Sequence, residues 1–86
     1  KNVDLSHANL VRAQLSGANL EGAKLRGAQM TGADLSYAHC KSANLSQSQL
    51  SDVNLYSSDF SDANLSGALL NESDARSSVL RNANFK

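Results

Sequence analysis

The sequence predicts an all-β solenoid, a fold in which the chain coils around its own apolar side chains. An apolar residue, in most cases a large one, recurs at every fifth position from 5 to 85, giving 17 centre positions of which twelve are leucine. A period of five would spread these residues around an α-helix and would alternate them between the two faces of a straight strand. A bend in every repeat is therefore needed to bring all the centres into one core.

The residues that flank each centre fit this prediction. The position two before the centre, the inner position, is always small: eleven alanines, four serines and two valines. It is expected to point inward with the centre, because residues two apart in an extended chain share a face. The position one before the centre, the polar position, is Asp or Asn in ten of 17 repeats, and all five glycines lie two after a centre. These residue types favour bends, because they tolerate unusual dihedral angles or bond the local backbone.

The runs HANLV, GANLE, GADLS, SANLS and DANLS resemble the A-(D/N)-L-x-x motif of the pentapeptide repeat family, and the resemblance extends over all 86 residues. It implies a right-handed quadrilateral parallel β-helix with four pentapeptides per coil, so that residues 20 apart stack. We expect residues 1–86 to form a single domain that is a fragment of a longer protein. In this register Cys40 lies between Leu20 and Phe60, and Ala75 lies beside Leu55, so that small centres adjoin large ones and the core stays filled.

Charge and composition narrow the class of partner. Lys plus Arg and Asp plus Glu are 8 each, so the net charge is zero, and we expect no direct nucleic-acid binding. The apolar runs are too short for a membrane segment. Cys40 is the only cysteine, which rules out an internal disulfide bond and fits a reducing compartment such as the cytoplasm.

The pattern predicts no metal site and no nucleophile. His39 and Cys40 are adjacent, but Cys40 is a centre that points inward while His39 points outward. The other histidine, His7, lies almost two coils away, and a structural metal ion needs four convergent ligands. A thiol buried among apolar side chains has a raised pKa and is a poor nucleophile.

The carboxylates are not expected to act as an acid/base pair. Asp59 and Asp62 are predicted on one wall together with Lys41 and Arg81, with His39 stacked beside Asp59. Opposite charges on neighbouring strands indicate a stabilising ladder. The sequence therefore predicts no enzymatic activity and no cofactor.

Departures from the repeat are the candidates for an interaction surface. Tyr37 and Tyr56 are predicted to lie on the same wall of adjacent coils, close enough to form a small patch. The remaining candidates are the acidic residues of the second half of the chain, namely Asp52, Asp59, Asp62, Glu72 and Asp74.

Two functions follow from these candidates. The favoured one is a non-enzymatic structural or protein-interaction module, a rigid rod in a larger protein, whose partners are another protein or flanking domains. Because the first and last coils of a solenoid expose core and unpaired strand edges, end-to-end self-association is also expected. The alternative is a DNA-mimic inhibitor of a type II topoisomerase, since some members of the family resemble a DNA duplex and inhibit DNA gyrase. The neutral balance and the scattered carboxylates argue against it.

Overall fold

The backbone winds in coils of 20 residues. The computed structural model describes residues 2–86, and within them there is no α-helix and no strand longer than a single bridged residue. Thirteen isolated parallel β-bridges each join two residues that are 20 apart, beginning with Asp4 and Lys24, recurring every five residues and ending with Asn64 and Asn84. Four pentapeptides therefore make up one coil. Each bridge is short because the chain bends again within the same repeat.

A tight turn follows each centre. The residue two after the centre has a positive φ, between 56° and 75°, at each of the 16 positions from 7 to 82, and Asn2, at the same position of the repeat before the first centre, has φ 57°. The next N–H donates to the carbonyl of the centre, as Ala8 does to Leu5 at 3.0 Å, except after Leu50, where the hydroxyl of Ser73 lies between Val53 N and the Leu50 carbonyl. A positive φ at the third residue is the signature of a type II turn, which favours glycine. Twelve of these residues nevertheless carry a side chain, among them Tyr37 with φ 61° and Asp52 with φ 58°.

The Asp or Asn of the polar position completes the hydrogen bonding of the repeat. In the repeat 45–49, the N–H groups of Leu45 and Gln47 donate to the following coil, that of Gln49 donates to the preceding coil, and that of Ser48 closes the turn. Only the N–H of Ser46 is left, and it donates to Asn44 Oδ1 at 3.0 Å. The same side-chain bond is present at all ten repeats with Asp or Asn at this position. The preference for these two residues is explained by the side-chain acceptor that they provide for this N–H group.

The core is a set of stacked centres lined by the small inner residues. Every centre from Leu20 to Leu65 is buried, together with the inner residues between them. Cys40 and Phe60 are both fully buried, as expected for a small centre next to a large one. Ala75 is exposed at the last coil, and a cavity of about 200 Å³ beside it opens to solvent among the centre residues there.

The two end coils are less well covered than the middle. Leu5, Leu10 and Leu15 are partly buried, whereas Leu80 and Phe85 are 38% and 49% exposed. The predicted exposure of the core at the ends is therefore present in this chain. The Cα positions extend over 25 × 24 × 21 Å, so these coils alone are about as wide as they are long.

Candidate interaction surface

An aromatic patch stands on the lateral wall of the second, third and fourth coils. It consists of Tyr37, Tyr56, Arg76 and Asp74. The two tyrosine rings form an edge-to-face pair with centroids 5.8 Å apart and an interplanar angle of 84°. Tyr37 is 57% exposed and Tyr56 is 36% exposed, so both side chains are accessible to a partner. The structure therefore brings together the two tyrosines that the repeat pattern placed on one wall.

Arg76 extends the patch by one coil. Its guanidinium carbon lies 5.8 Å from the centroid of the Tyr56 ring, within the range of a cation–π interaction. Arg76 Nε and Nη2 donate to the two carboxylate oxygens of Asp74, each at 2.9 Å. These bonds hold the pKa of the Asp74 carboxyl below its ordinary value. The charge of Arg76 is thereby balanced within the patch.

The remaining acidic candidates do not gather into one surface. Asp52 and Glu72 are stacked one coil apart, linked through the bond from Asp52 N to the Asn71 carbonyl. Asp59 lies in a different stack, and its carboxylate accepts both the hydroxyl and the N–H of Ser61. Its pKa is lowered chiefly by these two bonds and to a smaller degree by the charges of Lys41 and His39. The charge ladder predicted for this wall is thus a minor contribution beside the local turn.

Cys40 and His39, which carry potentially reactive side chains, occupy ordinary core and surface positions of the coil. Cys40 is fully buried, and burial, followed by the charge of Asp59, raises the pKa of its thiol to about 12. His39 is exposed on the outside, as the alternation predicts. Among residues 2–86 no group of three or more His, Cys, Asp or Glu side chains is placed to hold a metal ion.

Comparison with protein families matches this architecture to a known repeat. The model of the pentapeptide repeats matches residues 1–36, 33–71 and 58–86, with eight copies. The chain belongs to the pentapeptide repeat family. No curated protein matches the sequence.

Solved pentapeptide repeat structures resemble the chain. A protein from Nostoc PCC 7120 superposes with a TM-score of 0.87 at 27% identity, covering 95% of this chain and 73% of that protein. One from Cyanothece 51142 gives 0.69 at 28% identity, covering 99% of this chain and 62% of that protein. One from the thylakoid lumen of Arabidopsis thaliana gives 0.57 at 31% identity, covering 88% of this chain and 60% of that protein. The chain thus spans less than two thirds of the length of the latter two.

The pentapeptide register also contains a signal that the sequence analysis missed. Arg76 was not among the candidate residues, although it lies 20 residues after Tyr56 and therefore stacks on it. Asp74 was named only for its charge. Its position two before Arg76 is what lets its carboxylate accept both the N–H and the side chain of that arginine.

A second feature of the described residues is a pocket among the centre residues of the last coil. The cavity beside Ala75 is lined by centre residues of the last two coils and by Ser73.

Within residues 2–86 no helix is long and apolar enough to cross a membrane.

Proposed function

We propose that this chain is a non-enzymatic protein-interaction module built on a right-handed quadrilateral β-helix. The observation that carries the proposal is the aromatic patch, a set of exposed side chains held in fixed positions by the coil. Pentapeptide repeats are in general a structural, non-enzymatic fold. Tyrosine and arginine are the residue types on which protein interfaces most often depend.

The rigidity of the wall supports this function. Tyr37 N donates to the Tyr56 carbonyl at 2.9 Å, and Ser57 N donates to the Arg76 carbonyl at 3.1 Å, so the backbone under the patch is tied across three coils. Side chains on such a base lose little further backbone entropy when a partner binds. The coil therefore serves as a scaffold that presents the patch.

Photo-crosslinking tests the proposal. p-Benzoylphenylalanine placed at position 37 is expected to give a discrete adduct with a partner in an extract of the source organism. The same group at Val11, which is 44% exposed, is the control. Equal adducts from both positions, or none from position 37, would contradict a lateral interaction site.

A second candidate function is end-to-end association, in which the first coil of a second copy stacks on the last coil. It is favoured by the cavity beside Ala75. The N–H groups of centre residues donate to the following coil throughout the solenoid, as Leu65 does to the Asn84 carbonyl. In the 86-residue chain, the first coil of a second copy has carbonyl groups that match such donors. Sedimentation velocity is expected to show concentration-dependent head-to-tail oligomers, from dimers upward, that Leu80→Lys abolishes; a monomer at all concentrations would contradict this mode.

The topoisomerase alternative receives less support from the charges. A DNA mimic needs stripes of negative charge that follow the phosphate spacing of a duplex. Here the carboxylates of Asp59 and Asp74 accept local hydrogen bonds and lie near cationic side chains. A gyrase supercoiling assay is expected to show no inhibition, and inhibition would favour the mimic.

A further inference from the structure

We propose that the aromatic patch binds a proline-rich segment in the polyproline II conformation. This inference rests on the interaction function proposed above and specifies the partner. It depends on a lateral wall within the coils, so it holds whether or not further coils extend the solenoid.

The backbone of the wall excludes strand addition as the mode of recognition. An added strand needs free N–H and C=O groups on the receiving edge. At the patch the N–H groups are already used: Tyr37 N and Ser57 N donate to the Tyr56 and Arg76 carbonyls of the next coil, and Tyr56 N donates to Asn54 Oδ1 at 3.0 Å. A partner at this wall must therefore be recognised by side chains.

The charges and the ring geometry limit the ways in which these side chains could recognise a peptide. Recognition of an acidic or phosphorylated segment uses clusters of arginine, whereas Arg76 is single and paired with Asp74. The two tyrosine rings meet edge to face at 84°, and both side chains are exposed to solvent. Exposed aromatic side chains accept proline rings, which pack against them without bending the peptide.

The hydrogen-bonding groups of the patch point to the same ligand. Each tyrosine offers a phenolic O–H, and Arg76 uses two of its five N–H donors on Asp74, which leaves three. The patch is thus rich in donors. A polyproline II segment of proline residues has free carbonyl acceptors and no N–H at all. Its lack of charge also matches the neutral balance of the patch.

Intrinsic fluorescence provides a direct test. The chain has two tyrosines and no tryptophan, so its emission comes from the patch alone. Titration of the 86-residue chain with decaproline is expected to change this emission in a saturable way. A decapeptide of alternating glycine and serine is expected to cause no change.

Residues from the same stacks supply matched variants. Tyr37→Ser introduces the residue found one coil further on at Ser57, and Tyr56→Ser introduces the residue found one coil before at Ser36, so both variants are expected to fold. Each should weaken decaproline binding by about tenfold or more. Tyr37→Phe keeps the ring but loses the donor and should bind with intermediate strength. Leu69→Ala, an exposed apolar residue outside the patch, should bind normally.

The outcomes separate this proposal from the general function. No saturable change with decaproline, or equal binding by the wild type and both serine variants, overturns the proline specificity. Crosslinking from position 37 that persists in such a case would leave the interaction module standing with a different partner. Saturable binding that requires both tyrosines supports the proposal.

Discussion

Ser48 shows how one residue can depart from the repeat at a cost. It occupies an inner position that is alanine in eleven repeats, and it is fully buried. Among the buried side chains of residues 2–86, its Oγ is the one without a hydrogen-bond partner. Ser58, at an equivalent position, instead donates its hydroxyl to the Leu55 carbonyl at 2.6 Å. A buried hydroxyl without a partner lowers stability because it loses its bonds to water.

We predict that Ser48→Ala stabilises the protein. The substitution removes the unsatisfied hydroxyl and restores the commonest residue of the position, so the free energy of unfolding should rise by about 1 kcal/mol. Urea denaturation monitored by circular dichroism measures this change. Ser58→Ala is the matched control, and it should be neutral or destabilising because it loses a bond. A lower stability for Ser48→Ala than for Ser58→Ala would contradict the explanation.

Cys40 is a second residue whose properties follow from its place in the core. With a pKa raised to about 12, the thiol is protonated at neutral pH and is also inaccessible. We predict no reaction of the native protein with Ellman's reagent, and full reaction in concentrated guanidinium chloride. Ser42→Cys places a second thiol on an exposed site two residues away. That variant should rapidly release one equivalent of thionitrobenzoate from the reagent. Rapid reaction of Cys40 in the native wild type would show that the core opens.

At the scale of the element, the hydrogen bond from the polar position governs the response to acid. Hydrogen bonds from the hydroxyl and then the N–H of Ser36 lower the pKa of Asp34 below its ordinary 3.8, and those from Ser61 do the same for Asp59. A lowered pKa in the folded state means that the ionised carboxylate stabilises the fold. This contribution is present above the unfolded pKa and is lost as pH falls through the folded value.

We therefore predict that Asp34→Asn with Asp59→Asn flattens the acid limb of the stability profile. Asparagine makes the same bond to the backbone elsewhere in the chain, so the melting temperature at pH 7 should change little. Between pH 5 and pH 2 it should fall less than that of the wild type. The control is Asp52→Asn with Asp62→Asn, which removes the same number of negative charges from the turn positions with positive φ. An unchanged loss of stability with acid in the first variant would contradict this role for the turn.

The elements were predictable from the sequence to the extent that they repeat. The period of five, the inward leucines and the need for a bend follow from geometry, and the 20-residue register follows from the family resemblance. What the sequence analysis could not supply is set by individual side chains. The register places Arg76 next to Tyr56, but the cation–π contact and the two bonds to Asp74 depend on side-chain rotamers.

At the scale of the whole molecule, the narrow core makes stability depend on the register of every coil. Each centre contacts the centres of the coils before and after it, so a defect in a middle coil affects both neighbours. A leucine on the outer surface contributes much less to this core than a leucine at a centre. Leu35 is fully buried in the second coil, whereas Leu69 is 54% exposed at a polar position that is Asp or Asn in ten other repeats.

One substitution at these two leucines tests the register of the entire solenoid. Leu35→Asp places an unpaired charge in the core and is expected to abolish the cooperative thermal transition seen by circular dichroism. Leu35→Ala should retain the fold and cost about 2–5 kcal/mol. Leu69→Asp should leave stability unchanged or raise it, because a carboxylate there can accept the N–H of Asn71 as in the other repeats. A native transition in Leu35→Asp, or unfolding by Leu69→Asp, would mean that inward and outward positions are reversed.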